Sequence, residues 1–377
     1  MIRRIAFTLM VLTTAATPAL AGVVNPDISM VGQPFIRWTD DDTDPTHKRP
    51  TLNLGEVEGV FDAYLNPYAH GTFILSIADG GVEVEEGYFQ LLRGLPGGLT
   101  IKGGKYRAGF GKLNPQHPHA VPFAERFRVL GYLPGDEALN ETGVSLSERI
   151  PVPGDFSLTA SADWLQGDSY RIERASSGDP SDPLETNPGA DRGEEPRPAV
   201  LGRIAGFGQI SDRSGYELGV SATQGTNNVA AGARTRVIGG DAKFKLWTGA
   251  FSYLILQGEV LHLDRDDAGW DPTAVAYETT KAKATGGYFY ADYNFKIRYN
   301  VGAGFERFQD PTPDQTSNTA FKVFAGYSLL EETTAFRLDW DHFSPGTPTG
   351  VTVAPPDVNT VTMRVIFSMG PHKAHQF

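Results

Sequence analysis

The sequence predicts an all-β fold: a transmembrane antiparallel β-barrel of sixteen strands whose third long loop folds inward. Three observations carry this reading. The chain begins with an export signal, it alternates with period 2 over membrane-length runs, and its connections are alternately short and long.

The N-terminus comes first. MIRR places two arginines before the apolar run IAFTLMVL, and TPALA ends in a small-x-small cleavage pattern. Residues 1–21 therefore read as a signal peptide cleaved after Ala21, leaving 22–377 as a single barrel domain. Loss of Arg3 and Arg4 removes two positive charges and takes the formal net charge from −12 to −14, which disfavours nucleic acid as a partner. The chain has no cysteine, so an exported protein of 377 residues must rely on a large core or on a sheet without open edges. No apolar run after the signal approaches the length of a membrane helix, but alternating barrel strands are invisible to that criterion.

The strands are read at 28–38, 53–65, 70–78, 82–92, 99–108, 139–150, 155–166, 199–210, 215–226, 234–246, 253–264, 282–292, 297–308, 319–328, 334–343 and 358–369. The alternation is plainest in DFSLTASADWLQ, where Phe156, Leu158, Ala160, Ala162 and Trp164 share one face. NVGAGFERF, TAFRLDWDHF and VNTVTMRVIFSM repeat it with Val301, Ala303 and Phe305, with Phe336, Leu338 and Trp340, and with Val361, Met363, Val365 and Phe367. The first strand and the one at 82–92 alternate poorly, so a count of fourteen stays open. Gly103-Gly104 and Gly239-Gly240 interrupt the parity and read as bulges.

Seven short turns (NPYA, GLPGG, PVPG, SDRSG, WTGAFS, YNFK, LLEET) alternate with eight mostly longer polar loops at 39–51, 79–81, 109–138, 167–198, 227–233, 265–281, 309–318 and 344–357. Residues 176–198 form a long, acidic, mobile loop on this reading. With each polar face turned inward, a lumen lined by Glu56, Glu58, Asp62, Glu141, Asp163, Glu217, Asp241, Glu259, Asp292, Glu306, Asp339 and Asp341 opposes Lys102, Arg149, Arg203, Lys243, Lys245, Arg298, Lys322, Arg337 and Arg364.

Residues 109–138 are too long for a plain connection and carry Phe110, Val121, Phe123, Phe127, Val129, Leu130, Tyr132 and Leu133, which need a surface to pack on. VPFAERFRVL reads as a short helix with Phe123, Phe127 and Leu130 on one face. Inside a wide barrel this loop would form a constriction lined by Lys112, His117, His119, Glu125, Arg126 and Arg128, stiffened by Pro115, Pro118 and Pro122.

GGKYRAGFGKLNPQHPHAVPFAERF (103–127), GDEALNETGVSLSERIP (135–151) and TVTMRVIFSMG (360–370) together resemble outer-membrane porins, in particular the phosphate-selective porin O and P family and its uncharacterised relatives. The resemblance implies a sixteen-stranded barrel in the outer membrane of a Gram-negative bacterium, compatible with a homotrimer, whose third loop makes the eyelet. It also implies an anion site of loop arginines and a lysine ladder. Arg126 and Arg128 occupy the matching segment, but no ladder is present and the inferred lumen is slightly acidic, so a general or weakly cation-preferring pore fits better. Such barrels end in an aromatic residue read by the assembly machinery, and Phe367 and Phe377 both qualify.

The expected function is passive diffusion of small hydrophilic solutes or ions through a water-filled channel in outer-membrane lipid, with no catalytic residue and no cofactor. The alternative is a transporter specific for a metal or an anion, using the His/Glu/Arg cluster of the loop. His117 and His119 cannot complete a tetrahedral site without a third ligand, for which Glu125 is the sequence candidate, so no metal site is assigned.

Overall fold

The computed structural model describes residues 26–78, 80–135, 138–172, 178–182, 197–330 and 334–370. Residues 1–21, read above as a signal peptide, most of the acidic segment 176–198, and Phe377 lie outside the described residues. Eighteen strand segments form one antiparallel sheet closed on itself. They are β1 (Asp27–Gly32), β2 (Phe35–Thr39), β3 (Thr51–Asn53), β4 (Val57–Asn66), β5 (Ala69–Ala78), β6 (Gly81–Leu91), β7 (Thr100–Arg107), β8 (Asn140–Ile150) and β9 (Phe156–Leu165). The second half comprises β10 (Ala199–Gln209), β11 (Gly215–Asn228), β12 (Ala233–Gly249), β13 (Ser252–Asp271), β14 (Ala276–Phe295), β15 (Tyr299–Gln309), β16 (Ser317–Leu330), β17 (Thr334–Ser344) and β18 (Val358–Met369).

Two pairs of segments are each one interrupted strand. β1 and β2 both pair with β18, while β1 pairs with β4 and β2 with β3. The sheet is therefore a closed barrel of sixteen strands. The interruption is chemical in origin. Pro34 has no N–H to give a ladder, and Gly55, opposite it, has φ +66°, with a Cβ there standing 2.2 Å from the Gln33 carbonyl oxygen. The carbonyls of Glu56 and Pro34 instead accept from Gln33 (3.1 Å) and Val365 (2.9 Å), so the backbone stays paired.

Closure removes every sheet edge, and alternation assigns the two faces. Ile204, Val220, Ile238, Val260, Phe289, Phe305, Leu338 and Met363 point outward and are exposed, while Ser221, Asp241, Glu259, Glu306, Asp339 and Arg364 point inward and are buried. A continuous exposed apolar outer surface is what lipid contact requires. Tyr64, Tyr68, Trp164, Tyr293 and Trp340 stand exposed near strand ends. At one turn, Asn66 Oδ1 accepts from the N–H groups of Tyr68 (2.9 Å) and Ala69 (3.0 Å), which closes NPYA as an Asx turn.

Three readings of the sequence are corrected. Residues 265–281 are not a loop, because β13 and β14 are 20 residues each and pair down to Asp271↔Ala276, leaving 272–275 as the connection. Polar composition hid a ladder supported by Trp270 edge-on to Tyr277 (5.2 Å). Gly103-Gly104 and Gly239-Gly240 keep unbroken register, so neither is a bulge. Gly104 is needed for another reason: at φ +133°, a Cβ would stand 2.1 Å from the Gly87 carbonyl oxygen. A true mid-strand bulge lies in β6, where Ile74 faces Glu86 and Leu75 faces Val84, so that Glu85 is the extra residue. Residues 121–127, finally, do not form a helix; short 3₁₀ turns at Pro118–Ala120 and Arg128–Tyr132 flank them.

Candidate pore constriction

The buried core of this barrel lies inside it. Phe110, Leu113, Val121, Phe123, Phe127, Val129 and Leu133 are at most 2% exposed and pack with inward-facing Leu261, Tyr288, Tyr290 and Phe324. Phe127 stacks on Tyr288 at 4.2 Å, and Phe123 meets Tyr290 edge-on at 5.3 Å. Loop 109–135 thus lies in the lumen against an apolar stripe of the wall, where burial of its aromatic rings holds it.

Charges on the wall satisfy the loop backbone. Arg364 donates to the carbonyls of Pro118 (3.2 Å) and Phe123 (3.0 Å), Lys322 to that of Glu125 (2.6 Å), and Arg337 to that of Val121. Glu259 accepts from the N–H groups of Lys112 (2.9 Å) and Leu113 (2.7 Å), and Glu306 from Val129 N–H (3.1 Å). This explains the missing helix. Carbonyls 121, 123 and 125 are claimed by wall cations, and Pro122 has no N–H to offer a helical ladder.

The expected constriction residues divide into three groups. On one side Lys112 bonds Glu217 (2.6 Å), which lies beside Arg203, itself paired with Asp241 (2.6 Å); Lys243 and Lys245 stand on the same strand as Asp241. On the far wall Arg128 spans Glu306 (3.1 Å) and Asp341 (2.5 Å), with its guanidinium over Phe343 (4.5 Å), while Arg126 bonds the Gln116 carbonyl within the loop. Glu125 is exposed and lines a cavity of about 180 Å³ with Gln33, Glu56, Pro118, Thr362 and Arg364, between the loop and β2, β4 and β18.

The third group surrounds the histidines, and here the carboxylate partners are not Glu125. His117 Nε2 contacts Glu86 Oε1 at 2.7 Å, its Nδ1 faces Glu58 Oε2 at 3.2 Å and Glu85 Oε1 at 3.4 Å, and His119 Nδ1 meets the other Glu58 oxygen at 3.0 Å. The two rings stack with centroids 5.7 Å apart. Burial would push the His117 imidazolium down, but the carboxylates of Glu58, Glu85 and Glu86 outweigh it and hold the group well above its ordinary value. Glu85, Glu86 and Arg107, whose Nη2 contacts Glu85 Oε1 at 2.5 Å, were not anticipated. Regular alternation would send one of two consecutive glutamates to lipid, whereas the bulge turns both inward.

Among the remaining wall residues, Asp62 pairs with His70 at 2.6 Å. Asp339 is buried beside the loop, and Glu56 accepts from Ser76 Oγ at 2.5 Å. Arg298 is a correction: it lies exposed in the turn before β15, because β14 runs on to Phe295 and the strand after it starts only at Tyr299. Phe367 is on the outer face of the closing strand, its ring over Gly32 of β1, where a Cβ would stand 2.4 Å from it.

No family model matches the chain. An uncharacterised protein of Aquifex aeolicus is 31% identical over 255 residues, or 67% of this chain and 53% of that protein, so the chain spans about half the length of the curated relative it matches. Solved structures cover nearly all of it. The trimer form of OmpT, an outer-membrane protein of Vibrio cholerae, superposes with TM-score 0.55 at 10% identity over 91% of this chain and 99% of that one. An anion-selective porin from Comamonas acidovorans gives 0.55 at 11% over 91% and 100%. The outer-membrane channel DcaP of Acinetobacter baumannii gives 0.56 at 9% over 91% and 97%. At such identities the likeness is one of fold. The chain has the closed sixteen-strand barrel fold of these outer-membrane porins.

Proposed function

We propose that this barrel is a porin, a water-filled channel for passive diffusion of small hydrophilic solutes or ions, narrowed by loop 109–135 and preferring cations. The observation that carries the reading is the position of that loop inside the lumen, bonded to walls on both sides. The gap beside it is bordered by Glu56, Glu125 and Arg364, and the Arg364 guanidinium is already engaged by two loop carbonyls. Two carboxylates against one guanidinium leave a net negative charge at this gap, which favours cations in a confined passage with low-dielectric walls. A homotrimer is part of the proposal, since one structural relative is described in trimer form.

Phosphate selectivity is not part of it. Arg128 is paired with two acids and Arg126 is bonded to a carbonyl, which speaks against an anion site built from these two arginines.

Conductance of the refolded chain in a planar bilayer tests the proposal. Stepwise channels are expected, with a reversal potential in a KCl gradient displaced toward the cation, and Glu125→Gln should reduce that displacement. Insertion without ionic current, or an anion-directed potential, refutes it.

A further inference from the structure

We propose that His117, Glu58 and Glu85 form a binding site in the lumen for a divalent transition-metal cation of the zinc class. One donor atom from each lies within 4.8 Å of the others. The His117 Nδ1 separations from Glu58 Oε2 (3.2 Å) and Glu85 Oε1 (3.4 Å) match the edges of a tetrahedron. Ligands about 2.0–2.1 Å from a tetrahedral zinc ion stand about 3.3–3.4 Å apart.

A second observation is independent of that spacing. Among the described residues no hydrogen bond reaches the buried Glu58 Oε2, which has only the His117 ion pair at 3.2 Å, or the buried Glu85 Oε2, and the two side chains are 0% and 4% exposed. His117 Nδ1 is aimed between the two carboxylates, within ion-pair range of both but without the alignment of a hydrogen bond to either. Buried carboxylate oxygens without donors are costly and rare, and a bound cation removes the cost.

The surroundings have the arrangement that outer-shell groups take around a metal. The other His117 nitrogen, Nε2, is held by Glu86 at 2.7 Å, which leaves Nδ1 as the coordinating atom of the neutral ring. The second Glu58 oxygen is held by His119 Nδ1 (3.0 Å), and Arg107 Nε (3.0 Å) fixes the Glu85 carboxylate by the same Oε1 that faces His117, leaving Oε2 without a hydrogen bond. One imidazole and two carboxylates suit zinc-class ions; calcium needs six to eight oxygens, which this cage does not supply. A proton on His117 and a cation compete for the same place, so binding releases the proton. The ion would tie the loop tip to β4 and β6. The site stands on geometry alone and does not depend on whether the barrel conducts.

The test is calorimetric titration of the refolded, metal-free chain with Zn²⁺ in detergent near neutral pH, with heat-modifiable migration as the check of folding. One saturable Zn²⁺ per chain is expected, not displaced by an equal concentration of Ca²⁺. His117→Ala should abolish it. Glu86→Gln, which keeps all three ligands, should weaken it by about 10–100-fold, while His262→Ala on the outer face should leave it unchanged. If folded wild-type barrel takes up no Zn²⁺, or if folded His117→Ala and Glu86→Gln bind it as wild type does, the histidine is only an ion-pair partner and the site is refuted. Retained current with no Zn²⁺ uptake refutes the metal site and leaves the porin proposal standing.

Discussion

Arg128 shows how a single side chain can fix a loop across a lumen. Its guanidinium reaches Glu306 and Asp341 on two strands, and the next backbone N–H reaches Glu306 as well. Both acids are at most 4% exposed, so removing the cation leaves them poorly compensated, although Lys322 remains 3.5 Å from Asp341. Arg128 is itself 30% exposed, which screens part of the interaction. We expect Arg128→Ala to cost about 1–3 kcal/mol in urea unfolding of the refolded barrel. Arg128→Lys should recover only part of this, because an ammonium cannot span two carboxylates as a planar fork does. Equal midpoints for Arg128→Ala and wild type would refute the anchoring role.

At the scale of elements, loop 109–135 is held chiefly by its aromatic rings. Phe127 is 1% exposed, and replacing it with alanine should cost about 3–5 kcal/mol of docking free energy. The loss is local, since β-ladders and not this ring close the barrel. Trypsin, which has targets at Lys112, Arg126 and Arg128, should therefore nick the Phe127→Ala loop in an otherwise intact barrel and spare the wild type. Identical resistance would show that the ring does not hold the loop. The apolar content of this segment was legible in the sequence and led correctly to a packed loop. Its 3.6-residue spacing misled, because wall arginines and a lysine satisfy its carbonyls from outside the segment. β6 illustrates the same limit. VEVEEGYFQ alternates poorly because Glu85 is inserted into the ladder, and a bulge depends on what the neighbouring strand and Arg107 offer. The ligand cluster was hidden with it: the histidines could be seen from the sequence, but two of their carboxylates come from a strand whose register a bulge resets.

For the molecule as a whole, strand length and the outward residues set the relation to the bilayer. Along β12 the outward positions run Ile238, Gly240, Ala242, Phe244 and Leu246, while Arg236 and Arg234 continue the same face beyond Ile238. From Ile238 to Leu246, eight steps of about 3.4 Å tilted by about 40° rise roughly 21 Å, close to the apolar band of about 25 Å expected for such barrels. The 20-residue strands of β13 and β14 are far longer than the 9–11 residues a crossing needs, so their hairpin projects beyond the rim, where Asp264, Asp266, Lys281 and Lys283 occur. Ala242 stands midway along the uncharged run. Ala242→Arg should cost about 2–4 kcal/mol in urea unfolding from liposomes, whereas the native Arg236, on the same face of the same strand, is tolerated because it lies outside the band. Reversing the roles, Arg236→Ala should change stability by less than about 1 kcal/mol, the depth dependence expected near an interface. Should Ala242→Arg unfold at the wild-type midpoint, that face does not meet hydrocarbon and the barrel's placement in a membrane fails with it.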